Sequence, residues 1–328
     1  IFTAINHGSA AASGWGIPTA TDIAFAVGIL SILGDRVPVS LKVFLTALAI
    51  ADDLIAILVV ALFYGGTINF GLLSIAFVLI ALVLLMNKLG EKRGWFYLVP
   101  AIAIWSLFYY AGIHSTMSGV VMAFLVPMTP RFNEAYFHRK RLQYIRRLNE
   151  YNGIASTSSE FPNGPQRHCL RRLSAISRDS IGMSYRLEHA LGPWVNFLIM
   201  PIFALANAGV EIPDVSYFNV FQFDQVLGSV SMGIFLGLVL GKPLGISLAS
   251  FIAVKLHVGE MPAKSSWPML IAVACLGGIG FTMSIFVDTL SFGDQTPEVM
   301  ARLRDMGKVA VLMGSLCAGI LGSVLINI

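Results

Sequence analysis

Long apolar stretches separated by short polar connections run through the chain. A helix that crosses a bilayer needs about 20 predominantly apolar residues, and nine stretches approach or reach that length. They cover residues 15–33, 40–64, 69–87, 95–111, 113–128, 189–209, 226–254, 267–290 and 308–327. The fourth and fifth are short and meet at Gly112, so we expect broken or tilted pieces there. The pattern predicts an all-α polytopic membrane protein.

The composition agrees with this prediction. Hydrophobic residues make up 56% of the chain and charged residues only 12%, whereas soluble domains carry about 25% charged residues. The three cysteines lie far apart without a CxxC spacing, which indicates neither a disulfide framework nor a zinc site. The chain begins "IFTAINHG", without Met or the charged start of a signal peptide. We therefore expect the natural protein to extend further upstream.

The distribution of Lys and Arg predicts the orientation in the membrane. These cations concentrate in alternate connections, namely 34–42, 88–93, 129–188 and 255–264. The intervening connections 64–71 and 210–225 carry neither Lys nor Arg, and 288–308 carries both signs of charge. Because cytoplasmic loops carry an excess of Lys and Arg, the basic connections are predicted to be cytoplasmic.

Segment 129–188 breaks the apolar pattern. It holds 11 Lys and Arg residues against 5 acids, first in "RFNEAYFHRKRLQYIRRLNEY", which is typical of a basic amphipathic helix, and then around a Ser/Gly/Pro-rich stretch. We interpret it as a basic cytoplasmic insertion between membrane spans 1–128 and 189–328. Contact with anionic lipid headgroups is the alternative, and a basic loop on a polytopic protein needs no nucleic acid.

Ionisable residues inside the apolar stretches are the strongest functional signal. Asp52 and Asp53 lie in the middle of 40–64, Asp22 lies in 15–33, and Lys242 lies in 226–254. Such groups are costly in a membrane and usually face a cavity or a partner. Adjacent helical residues point about 100° apart, so one acid can face a cavity while the other meets Lys242. A purely structural ion pair is the alternative, but three acids against one base leave charge over.

Two apolar stretches also carry residues that interrupt a helix. In 15–33 the residues Pro18, Thr19 and Thr21 precede Asp22, and in 267–290 the glycines of "CLGGIGFTMS" precede Thr282. Irregular backbone persists at membrane depth only where protein or a water-filled cavity covers it. Paired interruptions in the two halves of a chain indicate a transporter binding site. An acid at Asp22 would offset the positive helix ends, and Lys242 the negative ones.

These motifs resemble the NhaA-type Na+/H+ antiporters. The resemblance rests on "GWGIPTATDIAFAVGILSILGDRVPVSLKVFLTALAIADDLIAIL", followed in order by "GVVMAFLVP", "YRLEHALGPWVNFLIMPIFALANAGV", "GKPLGIS" and "GGIGFTMSIF". It covers nearly the whole chain outside 129–186. It implies an inverted-repeat fold of twelve spans, about nine of them present here, with two discontinuous crossing helices at 15–33 and 267–290.

The resemblance also implies roles for individual residues. Asp53 resembles the carboxylate that binds Na+ and protons, and Asp52 resembles the second acid, which contacts the lysine matched by Lys242. Thr21 and Asp22 match the unwound stretch that contributes to ion and proton binding. The discontinuous-helix backbone comprises Pro18, Gly277, Gly278, Gly280 and Thr282, and the positions associated with pH response are His114, Glu188 and His189. The family example has a second histidine where this chain has Gly192, and it has a short connection at 129–186.

The implied function is secondary active transport. Cytoplasmic Na+ or Li+ would be exchanged for external H+ by alternating access, in an electrogenic and pH-regulated way, in the bacterial inner membrane. Because desolvation favours a protonated carboxylate, protons and sodium would compete for one site. The expected partners are these ions, the lipid bilayer and a second copy in a homodimer, with no cofactor, no nucleic acid and no enzymatic activity.

Several alternatives stay open at the level of sequence. A related antiporter for another cation would use the same residues. A passive cation channel would conduct without proton exchange. An intramembrane aspartyl protease also uses two membrane carboxylates, but its GxGD motif is absent here. The chain also lacks the GxxxxGK[ST] loop of nucleotide-driven transporters.

Overall fold

The computed structural model describes residues 1–64, 68–91, 93–130, 132–154, 162–207, 209, 219–221, 228–293 and 296–327. This part of the chain forms helices and no strand. Most of the predicted acidic connection 210–225, and residues 155–161 of the Ser/Gly/Pro-rich stretch, lie outside the described residues. The all-helical class predicted from the apolar pattern is confirmed.

Within the described residues, fifteen α-helices are joined by 3₁₀ and π segments. The α-helices are α1 (Phe2–Ile5), α2 (Ile23–Ile32), α3 (Val39–Phe63), α4 (Phe70–Lys88), α5 (Trp95–Ala111), α6 (Thr116–Leu125), α7 (Glu134–Ile154), α8 (Gly164–Asp179), α9 (Met183–Trp194), α10 (Met200–Asn207), α11 (Val230–Leu236), α12 (Lys242–Lys255), α13 (Trp267–Leu276), α14 (Phe281–Ser291) and α15 (Pro297–Asn327). A 3₁₀ helix covers Ala10–Thr19, a shorter one covers Gly34–Arg36, and π-helical turns cover Val195–Ile199 and Gly237–Gly241.

In the part of the chain that the structure describes, five continuous helices are long and apolar enough to cross a membrane. They are Val39–Phe63, Phe70–Lys88, Met183–Asn207, Val230–Lys255 and Pro297–Asn327. Two further pairs form bent spans, in which the 3₁₀ helix meets α2 at 42° and α13 meets α14 at 49°. Among the described residues α5 and α6 are shorter apolar helices. By length and composition the chain is therefore a polytopic membrane protein.

The last helix begins earlier than predicted. The apolar pattern placed its start at 308, whereas α15 begins at Pro297 and includes most of the mixed-charge connection. The reason is that Leu303, Met306 and Gly307 recur at helical spacing and are buried on one face. Asp288, which falls within the predicted stretch 267–290 but was also counted with the charges of this connection, lies inside α14 and is fully buried. The charged residues of 288–308 predicted a loop, whereas those that the structure describes lie at the end of α14 and in the first turns of α15.

The described helices cluster into two compact units. The first contains Ile1–Gly65 and Asn196–Ile328, and the second contains Gly66–Val195. In the first unit one apolar cluster gathers Phe2, Ile234 and Phe292 from α1, α11 and the end of α14. A second cluster joins α2, α3 and α13 through buried aliphatic side chains such as Leu45 and Leu276. These two clusters hold the bent spans in place.

The second unit packs α4, α5 and α6 around a core that includes Ile104 and Phe108. The basic segment forms a hairpin of α7 against α8 within this unit. Helix α8 was not predicted, although it begins with a capping box in which Asn163 and Gln166 each accept from the other's backbone N–H. Gly182, just after the hairpin, lies directly against the backbone of Met128, just before it. The chain therefore enters and leaves the hairpin at neighbouring points.

Candidate functional site

The two bent spans of the first unit meet where each helix is interrupted. The Asp22 backbone N–H donates to the Ile279 carbonyl at 2.6 Å, which joins the two interruptions directly. Ala20 and Asp22 are in extended conformations, and all of the residues between the 3₁₀ helix and α2 are buried. A Cβ on Gly280 would lie 3.1 Å from the Ala20 carbonyl oxygen, so glycine permits this close approach.

Asp22 caps both half-helices that begin at the crossing. Its Oδ1 accepts from the Phe25 N–H of α2 at 3.2 Å. Its Oδ2 accepts from the Thr282 N–H of α14 at 3.0 Å and from the Thr282 hydroxyl at 2.6 Å. The residue is 1% exposed. One buried carboxylate therefore satisfies orphan donors of two helix N-termini and offsets their partial positive charge.

A compact polar cluster lies beside the crossing. Lys242 Nζ donates to Asp52 Oδ2 at 2.7 Å and also to the Thr21 hydroxyl oxygen. Thr21 Oγ1 lies 2.6 Å from the same Asp52 oxygen and 3.0 Å from the Gly277 carbonyl oxygen. Because a hydroxyl has a single proton, Thr21 donates to one of these two acceptors at a time. Helices α3 and α12 and both interruptions thus contribute to one polar cluster.

Asp53 has different surroundings from its neighbour. Its Oδ1 is buried and has no hydrogen-bond partner among the described residues. The charges nearest to it are Asp22, Lys242 and Asp52. Hard cations take oxygen ligands, and an oxygen that is shielded from water without a donor is free to supply one. We refer to Thr21, Asp52, Asp53 and Lys242 together as the carboxylate site.

The position of Lys242 depends on an irregular turn. A π-helical turn, Gly237–Gly241, separates α11 from α12 and immediately precedes the lysine. Such turns shift the register of a helix and are frequent at functional sites. Gly237 lies close to Pro18 of the 3₁₀ helix, since a Cβ there would be 2.8 Å from the proline Cβ. The turn therefore combines close packing with redirection of the lysine toward Asp52.

The structure brings most of the predicted site residues together within the first unit. Besides the carboxylate site, the residues at the crossing are Pro18, Asp22, Gly277, Gly278, Gly280 and Thr282. His114, Glu188 and His189 belong to the second unit, where His189 stacks on Tyr185 with ring centroids 3.9 Å apart. A role for these three residues in pH response stays a prediction.

Two contributors at the crossing were not predicted. The Ile279 carbonyl accepts from Asp22, and the Ser315 hydroxyl of α15 accepts from the Gly280 N–H at 3.2 Å. A serine in an otherwise apolar span was the available signal for Ser315. Within the described ranges no group of three or more His, Cys, Asp or Glu side chains has the arrangement of a metal centre. The oxygens available to a cation here belong to the carboxylates of Asp52 and Asp53, the Thr21 hydroxyl and the Gly277 carbonyl.

Comparisons with known proteins identify similar sequences. A family model described as Na+/H+ antiporter 1 matches residues 1–326. A relative from Oleidesulfovibrio alaskensis, named Na+/H+ antiporter NhaA, is 40% identical over 328 residues, which cover all of this chain and 70% of the relative. A protein of the same name from Syntrophobacter fumaroxidans is 39% identical over 98% of this chain and 66% of its own length. A relative from Flavobacterium johnsoniae, named Na+/H+ antiporter NhaA 2, is 40% identical over 96% of this chain and 63% of its own length. The chain thus spans about two thirds of the length of these relatives.

Proposed function

The chain belongs to the Na+/H+ antiporter 1 family, and from this premise we propose that it exchanges sodium ions for protons at the carboxylate site. Its relatives are named as antiporters, which are transporters and not enzymes, and the ions are their substrates rather than cofactors. The geometry also disfavours an aspartyl protease, because Asp52 and Asp53 are adjacent on one helix and Asp52 is paired with Lys242.

The buried, unpartnered Oδ1 of Asp53 is the observation that carries this proposal. With both acids ionised and Lys242 protonated, the carboxylate site has a net charge of −1. One sodium ion or one proton on Asp53 brings that charge to zero, so binding of one removes the negative charge that attracts the other. Competition of this kind is sufficient to couple the movement of one ion to the opposite movement of the other.

Lys242 gives the site a second charged state. Its ammonium group donates to Asp52 Oδ2, the same oxygen that the Thr21 hydroxyl contacts. A cation that takes Asp52 Oδ2 as well as Asp53 would compete with this ammonium group for the same oxygen. We propose that displacement of the ammonium group gives the Lys242–Asp52 pair a second transported proton, so that exchange is electrogenic.

The remaining features of transport extend the same proposal. Movement of one group of helices against the other would expose the carboxylate site alternately to each side of the membrane. Sodium would leave the cytoplasm as protons enter, with the basic connections on the cytoplasmic side of the bacterial inner membrane. His114, Glu188 and His189 stay candidates for pH response, and association with lipid and with a second copy stays part of the proposal.

Proteoliposomes containing a pH-sensitive dye test the proposal. A sodium pulse should dissipate an imposed proton gradient, and Asp53→Asn should abolish the response because it removes the charge that both ligands neutralise. Glu298→Gln, which changes an exposed carboxylate on α15, serves as the matched control and should leave exchange intact. Full exchange in Asp53→Asn would contradict the site assignment.

The same preparation tests competition and ion identity. Because one proton competes with sodium at Asp53, lowering the pH should raise the sodium concentration for half-maximal exchange by up to about tenfold per pH unit. A half-maximal concentration that does not change with pH would contradict a shared site. Pulses of lithium and potassium in place of sodium show whether another cation is the preferred substrate.

A further inference from the structure

A second carboxylate is buried in the first unit outside the carboxylate site. Asp288 lies on α14, six residues beyond Thr282 and therefore about 9 Å further along the helix axis. It has no solvent-exposed surface. Neither of its oxygens has a hydrogen-bond partner among the described residues. This is the environment in which an ionised carboxylate is most costly, since neither water nor a donor stabilises its charge.

Helix α15 is shaped around this side chain. A Cβ at Gly307 would lie 2.8 Å from the Asp288 carboxyl carbon, so the glycine leaves the space that the carboxyl group occupies. The buried hydroxyls of Ser284 and Ser291 lie on the same face of α14, four residues before and three residues after Asp288. The Ser291 hydroxyl is already donated to the Val287 carbonyl at 2.7 Å. The pocket therefore accommodates the carboxyl group by shape without supplying donors to its oxygens.

The charged groups around Asp288 come mainly from α15. Arg304, Asp305 and Lys308 interact with it electrostatically, but neither cation comes within ion-pair distance of it in the described part of the chain. Lys308 donates instead to the Gly209 carbonyl at 2.8 Å. The other elements packed on α14 are the 3₁₀ helix, α10 and α3. Of these only α3 carries titratable acids or bases facing the unit interior, namely Asp52 and Asp53.

These contacts favour a proton over a metal cation as the ligand. Arg304 and Lys308 lie nearby on α15, and their charge disfavours any further cation at this carboxyl group. A proton neutralises the group by itself, whereas a sodium ion also needs several other oxygen ligands. A buried ionised carboxylate without donors is far more costly than the neutral acid. We propose that Asp288 is a second proton-binding carboxyl group, protonated in the packed state described here and ionised when α14 and α15 separate.

Protonation of Asp288 would thus depend on whether α14 is packed against α15. Separation of the helices would bring water or Arg304 to the carboxylate and release the proton, and renewed packing would take a proton up. The site lies on the half of the bent span that leads away from the crossing. The proposal does not depend on sodium exchange, because it concerns a group that contacts no residue of the carboxylate site.

Infrared spectroscopy of the protein in lipid nanodiscs, labelled with 13C-aspartate, tests this proposal. At neutral pH the wild type should show the C=O band of a protonated aspartic acid, and Asp288→Asn should remove a contribution equivalent to one residue. Sodium should not alter the Asp288 contribution, whereas it should remove any contribution from Asp53. A spectrum unchanged by Asp288→Asn would overturn the proposal.

A second variant keeps the test decisive if Asp288→Asn folds poorly. In Asp52→Asn/Asp53→Asn the acids of the carboxylate site are neutralised and Asp288 is retained. The proposal expects a protonated-acid band in this variant that does not respond to sodium. The absence of that band would show that Asp288 is ionised in the packed state and would overturn the proposal. Because this variant cannot exchange sodium, its band is independent of the transport proposal, and adding Asp22→Asn to it separates the Asp288 contribution from that of the other buried aspartate.

Discussion

Asp52 and Asp53 are neighbours in sequence but have opposite surroundings. Asp52 accepts from an ammonium group and faces a hydroxyl, whereas one oxygen of Asp53 has no described partner. Environments that differ in this way separate the proton affinities of paired carboxylates, which is how one site assigns two roles. At the scale of single residues, the two acids therefore have different roles, and their number alone does not define the site.

Removing Lys242 should destabilise the protein by leaving Asp52 without its charged partner. We expect Lys242→Met to lower the free energy of unfolding by about 2 kcal/mol, the range for a hydrogen bond to a charged group. Thermal denaturation in detergent measures the effect. Lys255→Met, at the exposed end of the same helix, is the matched control and should change stability by less than about 0.5 kcal/mol.

A double-mutant cycle separates pairing from packing. In Asp52→Asn/Lys242→Met both charges are absent, so the loss of stability should be smaller than the sum of the two single losses. Additive losses would show that the 2.7 Å contact between Lys242 and Asp52 contributes no coupling energy.

Single residues were predictable from sequence where their chemistry conflicted with an apolar span. Asp22, Asp52 and Lys242 stand out because a charge in a membrane requires a reason. Ser315 gave only a weak signal, since isolated hydroxyls are tolerated in apolar helices. Asp288 was misplaced because it lies near other charges in sequence, and burial depends on contacts with α15 that a local pattern does not contain.

At the scale of elements, the two interruptions determine the architecture of the first unit. Glycine, proline and threonine marked the two breaks in the sequence. These residues weaken a helix, and an apolar segment in a membrane otherwise has few alternatives to helical structure. The π-helical turn before Lys242 and helix α8 were not predicted. A π turn has no sequence pattern of its own, and α8 is polar enough to be mistaken for part of a loop.

Asp22 should stabilise the bent spans through its capping bonds. Asp22→Ala removes side-chain caps from both α2 and α14, each worth about 1 kcal/mol, so we expect a loss of about 2 kcal/mol. Asp22→Asn keeps an oxygen acceptor and should lose less. Thermal denaturation of the two variants compares them, and equal losses would show that the negative charge, rather than the hydrogen-bond acceptor, provides the stabilisation.

Two glycines of α15 should respond to substitution in opposite ways. Gly307→Ala places a methyl group against the Asp288 carboxyl group and should destabilise the protein by about 1–3 kcal/mol through overpacking. Gly319→Ala meets its nearest atom at an ordinary 3.4 Å and should be neutral or stabilising by up to about 1 kcal/mol, because alanine favours a helix. Thermal unfolding distinguishes the pair. Equal stability of both variants would contradict the close packing of α14 on α15.

At the scale of the whole molecule, the carboxylate site belongs entirely to the first unit. The basic hairpin of α7 and α8 belongs to the second, and its two ends are adjacent through Gly182 and Met128. The sequence predicted a polytopic helical protein, and the predicted residues Thr21, Asp52 and Lys242 lie together in the first unit. The division into units could not be predicted, because it depends on contacts between helices that are distant in sequence.

Replacing residues 134–179 with a short Gly/Ser linker should preserve sodium-dependent proton exchange. The linker spans only a small gap, and the removed helices contribute no residue to the carboxylate site. The proteoliposome assay compares initial rates with those of the intact chain, normalised to reconstituted protein. Asp53→Asn in the shortened chain is the control and should remove the signal. Loss of exchange in a well-folded shortened chain would show that the hairpin is required for transport.

The shared carboxylate of Asp22 has a mechanical consequence. Its side chain is bonded to the first turns of α2 and α14, and its N–H is bonded to Ile279, at distances of 2.6–3.2 Å. A relative displacement of about 1 Å would exceed hydrogen-bond length at all of these contacts. The two bent spans are therefore pinned at their crossing and should travel as one rigid body during any transport cycle. If transport proceeds by the proposed alternating access, the surfaces that slide would then lie around this pair of spans and not between its members.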